Sequence, residues 1–316
     1  MKYNISNVNE IMEKAMNLPS VQELYKSFWF ENELNILFAE ANVGKSILAV
    51  QIAEHIARTG RKVLYLDFEL SLNQLRSRYS DKNGAYMFSK NLYRPEVELM
   101  EEEEFFELLN QAIYKEEINT IIVDNITYLC SKLEIGNQAT KLMQRLKYYK
   151  EKFKLSIMVV AHTKKRNNKN TITLDDLAGS KRLANFADSI FVIGRANINT
   201  EQLYLKQLKV RQSERIYNED NVLLVHIEKN KNFLQFVENG YANEEELLDT
   251  KRFHIGDKII LKAKCLQLKM ERLSNREIAK RLYVSEGTIR NWLKNCEQEA
   301  LEAHNPTTDV LFEELA

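Results

Sequence analysis

Residues 34–46 constrain this chain more than any other stretch. An apolar run, 34–39, passes directly into Glu-Ala-Asn-Val-Gly-Lys-Ser and then into a segment of helical periodicity, 44–58. Strand, tight loop and helix in that order leave the first amides of the helix unpaired, where they favour an anion. The spacing G-x-x-x-x-G-K-[ST] adds an ammonium for phosphate oxygens and a hydroxyl for a divalent cation. Gly44, Lys45 and Ser46 meet it; the first glycine is replaced by Ala39. That replacement costs only if the backbone there needs positive φ. The expected cradle is Ala39, Glu40, Ala41, Asn42, Val43, Gly44, Lys45, Ser46 and Ile47, with ATP and Mg2+ as ligands.

Around this unit the pattern alternates. Strand-like runs at 62–67, 120–124, 156–161, 189–193, 202–210 and 222–228 are separated by helical segments, among them 98–117 and 140–153. Such alternation predicts an α/β core with a mainly parallel central sheet covered on both faces. Residues 5–27 read as two short helices broken at Pro19, placed either on a neighbouring copy or over their own sheet. After about residue 241 strand signals stop, and three helical segments follow at 257–272, 274–282 and 286–294. The expected organisation is an N-terminal helical segment (1–30), the α/β domain (31–240), a linker (241–256), a small all-α domain (257–300) and an acidic tail (301–316).

Two carboxylates complete the cradle. Asp124 ends the apolar strand 120–123, where it would share Mg2+ with Ser46. Glu69 follows strand 62–67, which is expected next to strand 34–39, and a carboxylate there can polarise the water that attacks a γ-phosphate. Asp67 is its rival for that role.

Together these residues resemble the RecA-like hexameric P-loop ATPases, especially the plasmid RepA-type and DnaB-type helicases. The resembling pieces are Glu69-Leu70-Ser71 with Gln74-Leu75, the strand-end pair His162-Thr163, Asp175-Asp-Leu-Ala-Gly-Ser180 with Ala187-Asp188, and Lys209-Val-Arg211. They span roughly residues 20–230. The resemblance implies a hexamer or filament with ATP at subunit interfaces, His162 as a polar sensor, and Lys209 and Arg211 reaching the neighbouring subunit's γ-phosphate. The basic loop after His162, with Lys164, Lys165, Arg166 and Lys169, is the candidate contact for single-stranded DNA in a central channel. A solvated surface loop is the competing reading.

The segment 273–294 resembles a helix-turn-helix of the resolvase or response-regulator type. Ser274 with Glu277 has capping-box spacing, Val284 fills the turn, and Ser285 caps the second helix. Ile289, Trp292 and Leu293 would pack inward, leaving Thr288, Arg290, Asn291 and Lys294 for the major groove of duplex DNA. A module for protein contacts is the alternative. Positive charge is concentrated here, with twelve Lys/Arg against six Asp/Glu in 251–300, although the whole chain has formal net charge zero. No global field draws the protein to nucleic acid, so any basic contact must be local.

Three widely spaced cysteines, no signal-like N-terminus and no long apolar run predict a cytoplasmic protein without disulfides, zinc or membrane spans. The expected function is that of an ATP-hydrolysing, DNA-associated motor, a RepA-like helicase or replication ATPase of a plasmid, phage or mobile element. The alternative is an ATP-switched DNA-binding regulator, KaiC-like or transposition-type, without unwinding activity.

Overall fold

A computed structural model describes residues 5–303, apart from 97–99, 129–134, 165, 168–169, 179, 198, 200, 249–254, 283 and 285. The chain opens with helix α1 (Val8–Met16), then a two-stranded antiparallel pair, β1 (Glu23–Tyr25) and β2 (Trp29–Phe30). The second helix expected before residue 27 is therefore replaced by a hairpin. Pro19 lacks the amide a helix would need and disfavours helical backbone at Leu18. Beyond it Tyr25, Phe28 and Trp29 are buried, so packing favours strand.

The core then runs β3 (Leu34–Ala39), α2 (Lys45–Arg58), β4 (Val63–Asp67), α3 (Leu72–Arg78), a small hairpin β5 (Ser80–Asp81) and β6 (Gly84–Ala85), β7 (Leu92–Tyr93), α4 (Glu102–Glu116), β8 (Thr120–Asp124), α5 (Ile135–Phe153) and β9 (Ser156–His162). It continues with α6 (Ser180–Phe186), β10 (Ser189–Arg195), β11 (Leu203–Lys209), β12 (Val222–Asn230) and β13 (Phe233–Ala242). Nine strands form one sheet in the order β13-β12-β11-β10-β3-β9-β8-β4-β7. From β10 to β7 all neighbours are parallel, and β11, β12 and β13 add an antiparallel meander.

Two expectations change here. Strand β4 is not beside β3, because β9 and β8 lie between them. Strand β13 was not foreseen: most of its side chains are half-buried or exposed, so the run 233–242 carries little strand alternation.

Alternation along each strand divides the interior in two. Leu34, Ile36 and Phe38 face α4 and α5, whereas Leu37 and Ala39 face α2 and the β1–β2 pair. Gly194 on β10 lies opposite Tyr204 on β11, whose fully buried ring occupies the space a Cβ would need. Gly194→Ala should therefore destabilise the core by about 1–3 kcal/mol or more. A melting temperature equal to the parent's would show that the ring moves aside without cost.

Past the sheet come α7 (Glu244–Leu248), α8 (Ile255–Met270), α9 (Asn275–Leu282) and α10 (Glu286–Ala303). The last three pack around Cys265, Ile278, Ala279, Ile289 and Trp292. Helix α9 begins with the expected reciprocal cap: Ser274 Oγ accepts from Glu277 N at 3.3 Å, and Glu277 Oε2 accepts from Ser274 N at 2.9 Å. Helix α10 continues past Lys294 to Ala303. Ser285 and the tail 304–316 fall outside the described residues.

Candidate nucleotide site

The cradle forms at the carboxyl ends of the parallel strands. Ala39 is the last residue of β3, fully buried and paired with His162 on β9 and Ile193 on β10. Its backbone is extended, so alanine replaces glycine without conformational cost. The left-handed positions are Asn42 (φ 60°) and Gly44 (φ 95°). Asparagine tolerates that region better than most residues. At Gly44 a Cβ would also lie 2.7 Å from Ile227 Cδ1 and 3.0 Å from Phe236 Cζ. These two side chains come from the β12–β13 hairpin, which Gln51 of α2 holds through Phe236 N (2.7 Å) and Phe236 O (3.0 Å).

Lys45 begins α2 and is buried, its Nζ donating to Glu40 O at 2.8 Å and Ala39 O at 3.3 Å. Burial lowers its pKa, while the nearby Asp124 and Glu69 carboxylates oppose the shift. Asp124 closes β8. Burial pushes its carboxyl up to about 6, against the Ser46 and Tyr65 hydroxyls, which favour the charged form. Its Oδ2 accepts from Tyr65 Oη at 2.7 Å, while Oδ1 is buried with no hydrogen-bond partner among the described residues. An orphaned carboxylate oxygen beside a serine hydroxyl is the hard-oxygen donor set that Mg2+ takes. Ser46 and Asp124 thus fit the metal, which when bound would neutralise charge on the phosphates.

The structure separates Glu69 from its rival. Asp67 is wholly spent on local structure: Oδ1 accepts from Glu69 N (3.0 Å) and Leu70 N (2.9 Å), and Oδ2 from Arg94 Nε (3.2 Å). Glu69, with a 39% exposed side chain, reaches into the site instead. Although two strands separate β4 from β3, Asp67 pairs with Asp124 and Ala39 with His162, so all four strands end on one edge. That shared edge, and not strand adjacency, places Glu69 within the electrostatic reach of Lys45. The Ser71 and Gln74 of the resembling segment have a local task, forming the capping box of α3.

Asn125, which sequence reasoning passed over, joins the parts. It is fully buried, and its Nδ2 donates to Glu69 Oε1 at 2.5 Å and lies 3.1 Å from His162 Nε2. Its Oδ1 accepts from Thr127 N at 3.0 Å and from the Thr127 hydroxyl. An amide donor on Nε2 requires that nitrogen to accept, which puts the imidazole proton on Nδ1. Burial, then Lys45, lowers the His162 pKa, against the pull of Glu69, in keeping with a neutral ring. The only sequence signal for Asn125 is its place next to Asp124; Tyr65 had none beyond facing the same way as Asp67 on β4.

Other expected site residues lie elsewhere. Lys209 pairs in register with Ile190, which pairs with Ile36, three residues before Ala39 and about 10 Å down the strands. Its Nζ donates to Ala187 O (2.7 Å) and Ala184 O (2.8 Å) at the end of α6. Arg211 stands beyond it, half-exposed, 3.1 Å from Asp188. Neither joins its own cradle. In the basic loop Lys164 is exposed, but Arg166 is turned inward, its side chain 6% exposed and 3.5 Å from Asp176. Lys165 and Lys169 fall outside the described residues. On α10, Arg290, Asn291 and Lys294 are exposed and Thr288 is half-buried, with Arg290 3.2 Å from Glu286.

The AAA domain family matches residues 3–168, more than half of the chain. The KaiC-like protein PH0186 of Pyrococcus horikoshii superposes with a TM-score of 0.50 at 12% identity, covering 66% of this chain and 91% of that one. A second solved structure, the ATPase domain of another protein, superposes with a TM-score of 0.53 at 12% identity, covering 72% of this chain and 96% of that one. No curated protein matches. At such identities the superpositions establish a shared RecA-like fold. With an intact Gly-Lys-Ser cradle, paired carboxylates and this match over its first half, the chain belongs to the AAA domain family and is an ATPase.

Proposed function

We propose that this ATPase works as an assembly on DNA, in the manner of a RepA-like helicase or replication ATPase of a plasmid, phage or mobile element, in the cytoplasm. One observation supports the reading: the residues expected to act on the nucleotide lie at two ends of one sheet. Cradle, Asp124 and Glu69 sit at the carboxyl edge, and the half-exposed Arg211 sits beyond the amino edge. A ring or filament of copies would bring Arg211 of one subunit to the γ-phosphate of the next, making hydrolysis depend on assembly.

In this reading Lys164, with Lys165 and Lys169, follows single-stranded DNA. Arg166 is withdrawn from that contact, because its guanidinium is committed inward to Asp176. Helices α9 and α10 act as a helix-turn-helix, offering Thr288, Arg290, Asn291 and Lys294 to a duplex groove. Their exposed basic face also favours the second reading, an ATP-switched regulator that binds DNA without unwinding it.

The test measures particle mass with and without ATP and DNA, then ATP turnover and strand displacement on the same samples. A multimer whose turnover rises with DNA and which displaces a strand is the expected result. DNA-stimulated turnover without displacement selects the regulator. A monomer with undiminished, DNA-independent turnover overturns both. Among the described residues no helix is long and apolar enough to cross a membrane.

A further inference from the structure

The segment 210–216 that carries Arg211 has no regular structure of its own, so something else must fix the guanidinium. The two cations of Lys209-Val-Arg211 are held quite differently. Lys209 Nζ is engaged by two carbonyls at the end of α6, where a cation is favoured by the helix dipole. It is thereby a structural clasp between β11 and α6. Arg211 Nη1 meets Asp188 Oδ1 at 3.1 Å and leaves the rest of the guanidinium toward solvent, its side chain 52% exposed.

Asp188 itself is immobilised. Its Oδ2 accepts from Leu34 N at 2.9 Å and from the buried Lys150 Nζ at 2.9 Å, and its own amide donates to Leu34 O at 2.7 Å. One carboxylate oxygen is thus tied to the first residue of β3, the strand that ends in the phosphate cradle, while the other faces Arg211. We infer that Asp188 is a positioning residue for Arg211, which aims the guanidinium at a neighbouring subunit's nucleotide, and that Lys209 serves the fold and not the transferring phosphate. This inference rests on the proposed action of Arg211 across a subunit interface. The carboxyl's pKa agrees: burial would raise it, but the Leu34 amide, Lys150 and Arg211 together hold it below the usual carboxylate range.

The energetic logic is that of preorganisation. An exposed ion pair gains little when both side chains must be ordered to form it. Here one partner is already rigid, so its cost of ordering is absent, and the pair restricts an arginine that would otherwise sample many rotamers.

The test is a double-mutant cycle in the assembled, DNA-bound protein, using Asp188→Asn, Arg211→Ala and the double variant. Asp188→Asn should lower ATP turnover about fivefold to tenfold, with nucleotide affinity and particle mass unchanged. In the Arg211→Ala background the same change should lower turnover no further. An equal fall in both backgrounds, or an altered particle mass, would assign Asp188 to the fold and overturn the inference. If Arg211→Ala itself leaves turnover intact, the trans reading fails, and that outcome is distinct from the first. Should Asp188→Asn not fold, Asp188→Glu keeps the charge while shifting the carboxylate by one methylene. It should show the same dependence on Arg211, and parental turnover in that variant would equally overturn the inference.

Discussion

Glu69→Gln is expected to reduce ATP turnover about 10²–10⁴-fold while ATP binding is retained. The neutral amide keeps the shape and one acceptor oxygen but cannot draw a proton from water. The cradle backbone is untouched, because Glu69 meets the site through Asn125, His162 and the field it shares with Lys45 and Asp124. Fluorescent-nucleotide binding and single-turnover hydrolysis on one preparation separate the two effects. Turnover equal to the parent's would remove Glu69 from the chemistry. Asp67→Asn makes a useful contrast. Its carboxylate holds two backbone amides and Arg94, so the damage should appear first in thermal stability.

Arg211→Ala should cost about 10³–10⁵-fold in turnover if the guanidinium completes a neighbour's site, the range found when such an arginine is supplied by another chain. Mixing then gives a sharper reading. Lys45→Ala protein has a dead cradle and an intact Arg211, and Arg211→Ala protein has the reverse. A hybrid interface with a sound cradle on one side and a sound arginine on the other should recover part of the activity that each variant lacks alone. No recovery, with co-assembly verified by mass, would place Arg211 outside the reaction. Full turnover of Arg211→Ala alone would make it an ordinary solvent-facing residue.

What could be read from sequence follows the range of the interactions involved. The strand, loop and helix around Gly44 are local, and so is the Ser274–Glu277 cap; both are legible in a window of a few residues. The place of Asp124 at a strand end was legible from the apolar run before it. Glu69 and not Asp67 faces the site, but not because β4 adjoins β3, which it does not. The reason is that parallel strands share one functional edge whatever their order. Asn125 and Tyr65 were illegible because their partners, Glu69, His162 and Asp124, arrive from other strands. Arg166 looked like any basic loop residue, since its inward turn depends on Asp176, beyond the reach of a local window. Strand β13 escaped because a half-exposed edge hairpin carries too little apolar alternation to announce itself.

The hairpin that presses on Gly44 has a consequence for the order in which this molecule comes into being. Gln51 and Phe236 are 185 residues apart in the chain, and Ile227 and Phe236 form the far wall behind Gly44. A nascent chain emerging from the ribosome makes β3, the loop and α2 early, yet lacks the strands that hold the loop in place until residue 236 has followed. Closing so long a loop is slow relative to forming the helix it braces. Phosphate affinity is therefore expected to be one of the last properties of the core to develop, after translation has delivered nearly all of it. A ribosome-bound fragment ending before β12 should hold nucleotide poorly even though every residue of the Gly-Lys-Ser signature is already present.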